Sequence, residues 1–151
     1  MKKVKFYRFV LAVAAVILSS FIFSSCELDV DSVNLNFTVE AVDVTLGEDA
    51  VFVIKVEDPG YDLRELEVEA FLLDKKTDYI KPLGVIPFYQ GDQMYEKKCY
   101  LNVDENWETV IRVPDLPVND YRFKFTITDH FFSKTVYADF SVREYIVPIN
   151  G

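Results

Sequence analysis

PDLPVNDYRFKFTITDHFFSKTVYADFSV, residues 114–142, carries the decision about fold class. Tyr121, Phe123, Phe125 and Ile127 alternate with Arg122, Lys124, Thr126 and Thr128. After a turn over Asp129 to Ser133, Val136, Ala138, Phe140 and Val142 alternate with Thr135, Tyr137, Asp139, Ser141 and Arg143. An apolar period of two places one set of side chains on one face of an extended strand, and a helix would scatter them around its circumference. Two such runs joined by a short polar turn predict an antiparallel hairpin with one buried face.

The same period continues outward in both directions. Upstream, Thr109, Ile111 and Val113 share a face of a strand read over Trp107 to Val113, and a further strand covers Tyr95 to Val103. With Asp104-Glu105-Asn106 between them, these two are expected to form a second hairpin. Tyr79 to Phe88 is punctuated by Pro82, Gly84 and Pro87, so any strand there is short or at a sheet edge, where a missing amide donor does no harm; Gln90-Gly91-Asp92 then turns the chain. Leu66, Val68, Ala70 and Leu72 alternate with Glu67 and Glu69. That alternation favours a strand over the helix that the Glu, Leu and Ala content of ELEVEAFLLDKK would allow. AVFVIKV forms a strand closed by Asp58-Pro59-Gly60. Leu35, Phe37, Val39 and Ala41 form the first strand, joined to it through Leu46-Gly47-Glu48-Asp49. Beyond the closing hairpin, Ile146, Val147 and Ile149 in the tail Glu144 to Gly151 are expected to extend the last strand or pack on its rim.

The chain opens differently. MKKVKFYR holds Lys2, Lys3, Lys5 and Arg8 without an acid, and an apolar run from Phe9 to Leu18 resumes at Phe21 to Phe23. This is the charged region and short apolar region of a secretory signal. A run of about 15 residues broken by Ser19 and Ser20 falls short of the roughly 20 that span a bilayer. Phe23-Ser24-Ser25-Cys26 resembles a lipobox, with Phe23 where an aliphatic residue is usual. The resemblance implies acylation of Cys26 and cleavage in front of it. Several acyl chains on one cysteine, at ~0.8 kcal/mol per buried methylene, anchor stably where one chain does not. The expected organisation is therefore a signal peptide over 1–25, a lipidated Cys26 and acidic tether over 26–34, and one β-sandwich over 35–151. Asp31-Ser32-Val33 in the tether resembles a three-residue bacterial O-glycosylation sequence, which marks Ser32 as a candidate site.

Charge and cysteine usage narrow the function. The full chain has 16 basic and 25 acidic residues. Removal of the four basic residues of the signal leaves 12 against 25, a formal charge near −13. Such a field repels nucleic acid. Cys26 and Cys99 are the two cysteines, so acylation of the first excludes an intrachain disulfide. Cys99 lies in YEKKCYLNV, where it reads as a buried small hydrophobe.

The mature part is poor in groups that do chemistry. Its one histidine, His130, falls in the turn Asp129-His130-Phe131-Phe132, and Ser32, Ser133 and Ser141 fall in the tether, a turn and a strand, so no serine nucleophile with an adjacent base is indicated. One histidine and one buried cysteine do not make a zinc site. The pairs Asp58 and Asp62, Asp104 and Glu105, and Asp115 and Asp120 are best read as turn formers. We expect no enzyme activity, no metal and no cofactor. Binding is the remaining class. Phe131 and Phe132, adjacent in a hairpin turn, cannot both point inward, which makes one of them a candidate exposed anchor for a partner. Tyr79, Phe88, Tyr89, Tyr95 and Trp107 gather in the irregular middle of the sequence, and Tyr89 and Trp107 are candidate contacts for a protein or a polysaccharide.

The succession Leu-Pro, short loop, Tyr-x-Phe-x-Phe, Thr-Asp, turn, strand, Phe-x-Val resembles the closing hairpin of bacterial immunoglobulin-like and fibronectin-III-like domains. Seven or eight short strands at roughly ten-residue spacing fit the same antiparallel sandwich. Across most of the mature chain, Cys26 followed by ELDV, FTVEAVDV, LGEDAVFVIKV, the spacing of Pro87, Asp92 and Tyr95, and a closing strand ending in Phe-x-Val resemble the TraQ-type lipoproteins of Bacteroidetes conjugative transposons. Phe132 and the segment VEAFLLD depart from that pattern. The resemblance implies an accessory, non-catalytic component of a transfer apparatus, lipid-anchored to the outer membrane and facing either the periplasm or the surface. Its expected partner is another envelope protein, and a glycan-binding or adhesion lipoprotein is the alternative.

Overall fold

The computed structural model describes residues 35–57, 65–129 and 132–147. Cys26, Ser32, Asp58, Asp62, His130, Phe131 and Ile149, singled out above, lie outside the described residues.

Eleven strands follow in chain order: β1 (Asn36–Ala41), β2 (Val44–Thr45), β3 (Ala50–Glu57), β4 (Glu65–Asp74), β5 (Tyr79–Pro82), β6 (Pro87–Gln90), β7 (Gln93–Glu96), β8 (Lys98–Tyr100), β9 (Glu108–Val113), β10 (Asn119–Thr128) and β11 (Ser133–Arg143). They form two sheets. One has the order β1-β3-β9-β6-β7; the other runs β2-β11-β10-β4-β5, with β8 also paired to β4. The closing hairpin is β10 with β11, in register from Asn119 opposite Val142 to Thr128 opposite Ser133. Every pair is antiparallel except β2 with β11, which is parallel over Val142 and Arg143.

The grouping of strands is that of an immunoglobulin-like sandwich. β1, β3, β9 and β6 stand in the places of strands A, B, E and D, and β11, β10 and β4 in those of G, F and C, with β5 added beside C. Two details of the core agree. Tyr121, buried at the start of β10, donates its phenolic hydrogen to the Pro117 carbonyl 2.6 Å away, which is the tyrosine corner of this fold. Two residues on, where antibody domains carry the second cysteine of the inter-sheet disulfide, stands Phe123. Its ring stacks on Phe52 of β3 at 4.9 Å. Phe52 also lies 5.0 Å from Phe125 and 5.2 Å from Phe140. An aromatic cluster thus occupies the place of the disulfide. Each such pair adds about 0.5–1.5 kcal/mol to the burial of the rings themselves.

Three expectations are corrected. The stretch Tyr95 to Val103 is not one strand and does not pair with Trp107 to Val113. It breaks at Lys97, whose φ of 65° turns the backbone into the left-handed region. β7 therefore stays on β6 while β8 crosses to β4, and β9, which begins at Glu108, pairs with β3 and β6 instead. The crossing is sutured from inside by Gln90, a buried polar residue. Its amide donates to the Tyr100 carbonyl at 2.9 Å, and its oxygen accepts from the Asn102 amide at 3.1 Å and the Thr109 hydroxyl at 3.3 Å. These contacts supply partners to backbone that has left its ladder. The second correction is the tail: β11 ends at Arg143, and Tyr145, Ile146 and Val147 are exposed, with no rim contact that buries them. The third is the strand read from Trp107, which begins only at Glu108 because Trp107 lies in the turn before it; β2 is a two-residue strand that alternation does not reveal.

Candidate functional site

The outer face of the sheet β2-β11-β10-β4-β5 is a lattice of charges. Arg122 forms a two-pronged pair with Asp139 across β10 and β11, at 2.7 and 2.8 Å. Lys124 reaches Glu69 on β4 at 2.6 Å, and Lys98 reaches Glu65 at 2.7 Å. Opposite charges placed directly across paired strands stabilise register modestly.

At the Asp120 end the lattice closes on a buried serine. Ser141, fully buried, donates to Asp120, and its oxygen accepts from Lys75 Nζ at 2.7 Å and Arg143 at 2.8 Å. Its amide donates to Asp43 Oδ1 at 2.7 Å, beside the amide of Leu46, which donates to the Arg143 carbonyl at 2.8 Å. A serine beside a lysine is the makings of a nucleophile and base. Here, however, the hydroxyl has no access to solvent and Lys75 is held by Asp120 at 2.9 Å. The arrangement is a clamp: it fastens the short parallel strand β2 to the edge of β11. The Asp120 carboxyl is lowered to about 2 by the Ser141 hydroxyl, then by Lys75 and Arg143.

Cys99 is buried on β8, and burial pushes its thiol up to about 11, with Glu65 nearby adding to the effect. A thiol so placed is inert at neutral pH. A hollow of about 270 Å³ opens where β5 and β8 leave part of the β4 edge uncovered, lined among others by Val68, Ala70, Phe71, Pro82 and Val85. Its carboxylate, Glu69, is the one neutralised by Lys124. Among the described residues no group of three or more His, Cys, Asp or Glu side chains converges as a metal site would need. Asp104, one of the loop acids, instead caps its own turn, accepting from the amides of Asn106 and Glu108 at 2.8 and 2.9 Å.

The opposite sheet presents a different surface. Across its outer face Val51, Arg112, Tyr89 and Met94 lie in one row over β3, β9, β6 and β7, with Val53 and Val110 in the next. Val51, Val110 and Met94 are 37%, 44% and 53% exposed. The Arg112 guanidinium stands 5.5 Å over the Tyr89 ring, donates to the Gly91 carbonyl at 2.9 Å and approaches Asp49 at 3.4 Å. Glu40, Asp49, Glu96 and Glu108 border the patch. The sequence offered Tyr89 here but not its neighbours, since an outward valine every second residue reads as ordinary strand propensity.

The candidate aromatics do not gather. Phe88 is in the core, stacked on Tyr95 at 5.9 Å. Tyr79 stands on β5 of the other sheet. Tyr89 pairs opposite Arg112, whereas Trp107 precedes Glu108, five residues away along β9 and so about 16 Å distant at strand rise. A single stacking platform containing both is not formed. Trp107 sits in the turn that Asp104 caps, with φ 61°. A large aromatic there costs about 1–2 kcal/mol that a glycine would not. Phe132 is exposed in the β10–β11 turn, where its amide donates to Asp129 Oδ1 at 2.6 Å and Asp129 returns a bond to its carbonyl at 2.9 Å. Asp129 therefore caps its own turn.

These features define an immunoglobulin-like domain with one charge-laced sheet face and one that carries an apolar patch among charges. No protein-family model and no curated protein matches the chain. Among solved structures it is similar to a conjugative transposon lipoprotein from Bacteroides eggerthii, at 15% identity over 69% of this chain and 95% of that one, with a TM-score of 0.43. It is also similar to the titin M3 domain, at 14% identity over 73% and 99% with a TM-score of 0.39, and to the titin M1 domain, at 12% identity over 71% and 94% with a TM-score of 0.34.

Proposed function

We propose that this chain is a non-catalytic, lipid-anchored immunoglobulin-like module of the cell envelope that binds another envelope protein, as an accessory component of a conjugative transfer apparatus. The observation that carries the binding role is the patch of Val51, Val53, Val110, Met94 and Tyr89 around Arg112. Tyrosine, methionine and arginine are the residues that protein interfaces favour. Of the bordering acids, Asp49 is paired with Arg112 and Glu108 with Lys55 at 3.0 Å, and the acidic balance that remains with Glu40 and Glu96 favours basic over acidic side chains around the partner's apolar anchors. The anchor and the transfer apparatus rest on the sequence: the lipobox-like ending at Cys26 and the features shared with TraQ-type lipoproteins.

The test is site-specific photo-crosslinking in cells carrying the acylated protein. A crosslinking residue at Val110 is compared with one at Tyr137, an exposed position on the outer face of the other sheet. The reading expects Val110 to capture an identified transfer-channel subunit, with the yield falling at least tenfold on adding Val51→Glu. Equal capture at both positions, or capture of porins alone, refutes it.

A further inference from the structure

The chain enters the sandwich at the same end that carries its exposed aromatic turns. β1 starts at Asn36 opposite Glu57, the last residue of β3, and the amide of Val56 donates to the Trp107 carbonyl at 2.9 Å. In the other sheet Thr128 stands opposite both Ser133 and Glu65, and Glu65 opposite Tyr100. A hydrogen bond from Lys134 to Asn36 ties the two sheets together at this end. Leu35, Tyr100, Trp107 and Phe132 therefore share one end of the domain. Tyr100, Trp107 and Phe132 are 63%, 36% and 43% exposed.

We infer that this end docks on the lipid surface, with Trp107 in the headgroup layer and Tyr100 and Phe132 beside it. The inference rests on acylation of Cys26, proposed above. Eight residues, and so nine Cα–Cα steps, separate Cys26 from Leu35. Fully extended they span about 30 Å, and relaxed about 17 Å. The eleven residues of β11 make the sandwich about 36 Å long. A tether that cannot run the length of the domain holds the end it joins toward the bilayer and the far end away from it. Tryptophan and tyrosine, with an apolar ring and a polar tip, favour the interface between headgroups and acyl chains. Trp107 stands at a positive φ, a backbone position that suits glycine, with its ring partly exposed at this end. Among the described residues at this end, Glu57, Glu65, Asp104, Glu105, Glu108 and Asp129 outnumber Lys55, Lys98 and Lys134, which selects zwitterionic over anionic headgroups. The sheet face with the apolar patch then stands on the side of an upright domain, open to a partner.

Trp107 is the one tryptophan of the chain, so its fluorescence reports the docking directly. The acylated protein is reconstituted in phosphatidylcholine vesicles and compared with the unanchored Cys26→Ser variant in buffer. Docking predicts a blue-shifted emission in vesicles and loss of most of it when the acyl chains carry bromine near the glycerol end. Phe132→Ser with Tyr100→Ser should restore emission, and phosphatidylglycerol should weaken the shift. Protein that floats with the vesicles while its emission matches the variant in buffer and resists brominated lipid overturns the docking and leaves the anchor standing. A mature chain with the mass of unmodified polypeptide overturns both. Emission that shifts in native envelopes but not in vesicles places a protein at this end and overturns the lipid.

Discussion

Asp120→Asn offers the sharpest test of how the β2 edge is held. The carboxyl sits about a quarter exposed between Lys75 at 2.9 Å and Arg143 at 2.7 Å, and it accepts the Ser141 hydroxyl hydrogen. Those contacts bring its pKa from 3.8 to about 2. Each tenfold change in proton affinity is worth about 1.4 kcal/mol, which bounds the contribution at about 2.5 kcal/mol; solvent screening at this exposure reduces it to about 1–2 kcal/mol. Because the folded value lies below the unfolded one, the stabilisation is complete above about pH 5 and is lost as the pH falls through 4 toward 2. Urea denaturation of the Cys26→Ser protein at intervals from pH 6 to pH 2.5 measures it. Asp120→Asn should cost about 1–2 kcal/mol at pH 6 and about a third of that at pH 2.5, with the slope against urea unchanged, so the two stability curves draw together in acid. Parallel curves across the whole range would show that the charge of Asp120 contributes nothing to the clamp.

Two further outcomes follow from the core. Tyr121→Phe removes the hydroxyl that holds Pro117 and should cost about 1 kcal/mol, a fall in Tm of about 4 °C by differential scanning calorimetry; an unchanged Tm would mean the corner bond exchanges freely for water. In the acylated chain Cys99 is the one remaining thiol, and it should resist a disulfide reagent at pH 8 and react only in denaturant, since burial raises it to about 11. Rapid reaction of the native protein would place β8 outside the core.

Much of the architecture is legible in the order of residues, because an apolar period of two is a property of each strand alone. The alternation through β1, β3, β4, β10 and β11 needs no partner to be visible. Leu-Pro followed by Tyr-x-Phe-x-Phe is enough to suggest the sandwich. The failures are all places where a backbone turn or a neighbour decides. Lys97 and Trp107 adopt positive φ without being glycine, so nothing in their identity announced that one strand would divide between two sheets or that β9 would begin a residue late. The tail looked like a strand because its apolar content is strand-like, yet no edge receives it.

The amino-acid sequence by itself determined the acidic charge, the expectation of a signal and an acylated Cys26, the absence of an intrachain disulfide once Cys26 is modified, and the extended, one-sided character of most of the chain. These are sums or local periodicities, which survive without knowledge of what lies opposite. Tertiary structure alone decided which strands became neighbours, and with them every surface of functional interest. It aligned Val51, Arg112, Tyr89 and Met94 from four separate strands into one row, and set Tyr89 and Trp107 at opposite ends of β9. It also brought Trp107, Tyr100 and Phe132 to the end where the tether arrives. Such juxtapositions join residues tens of positions apart through backbone ladders, and the register of a ladder is written in pairs of strands rather than in any one of them.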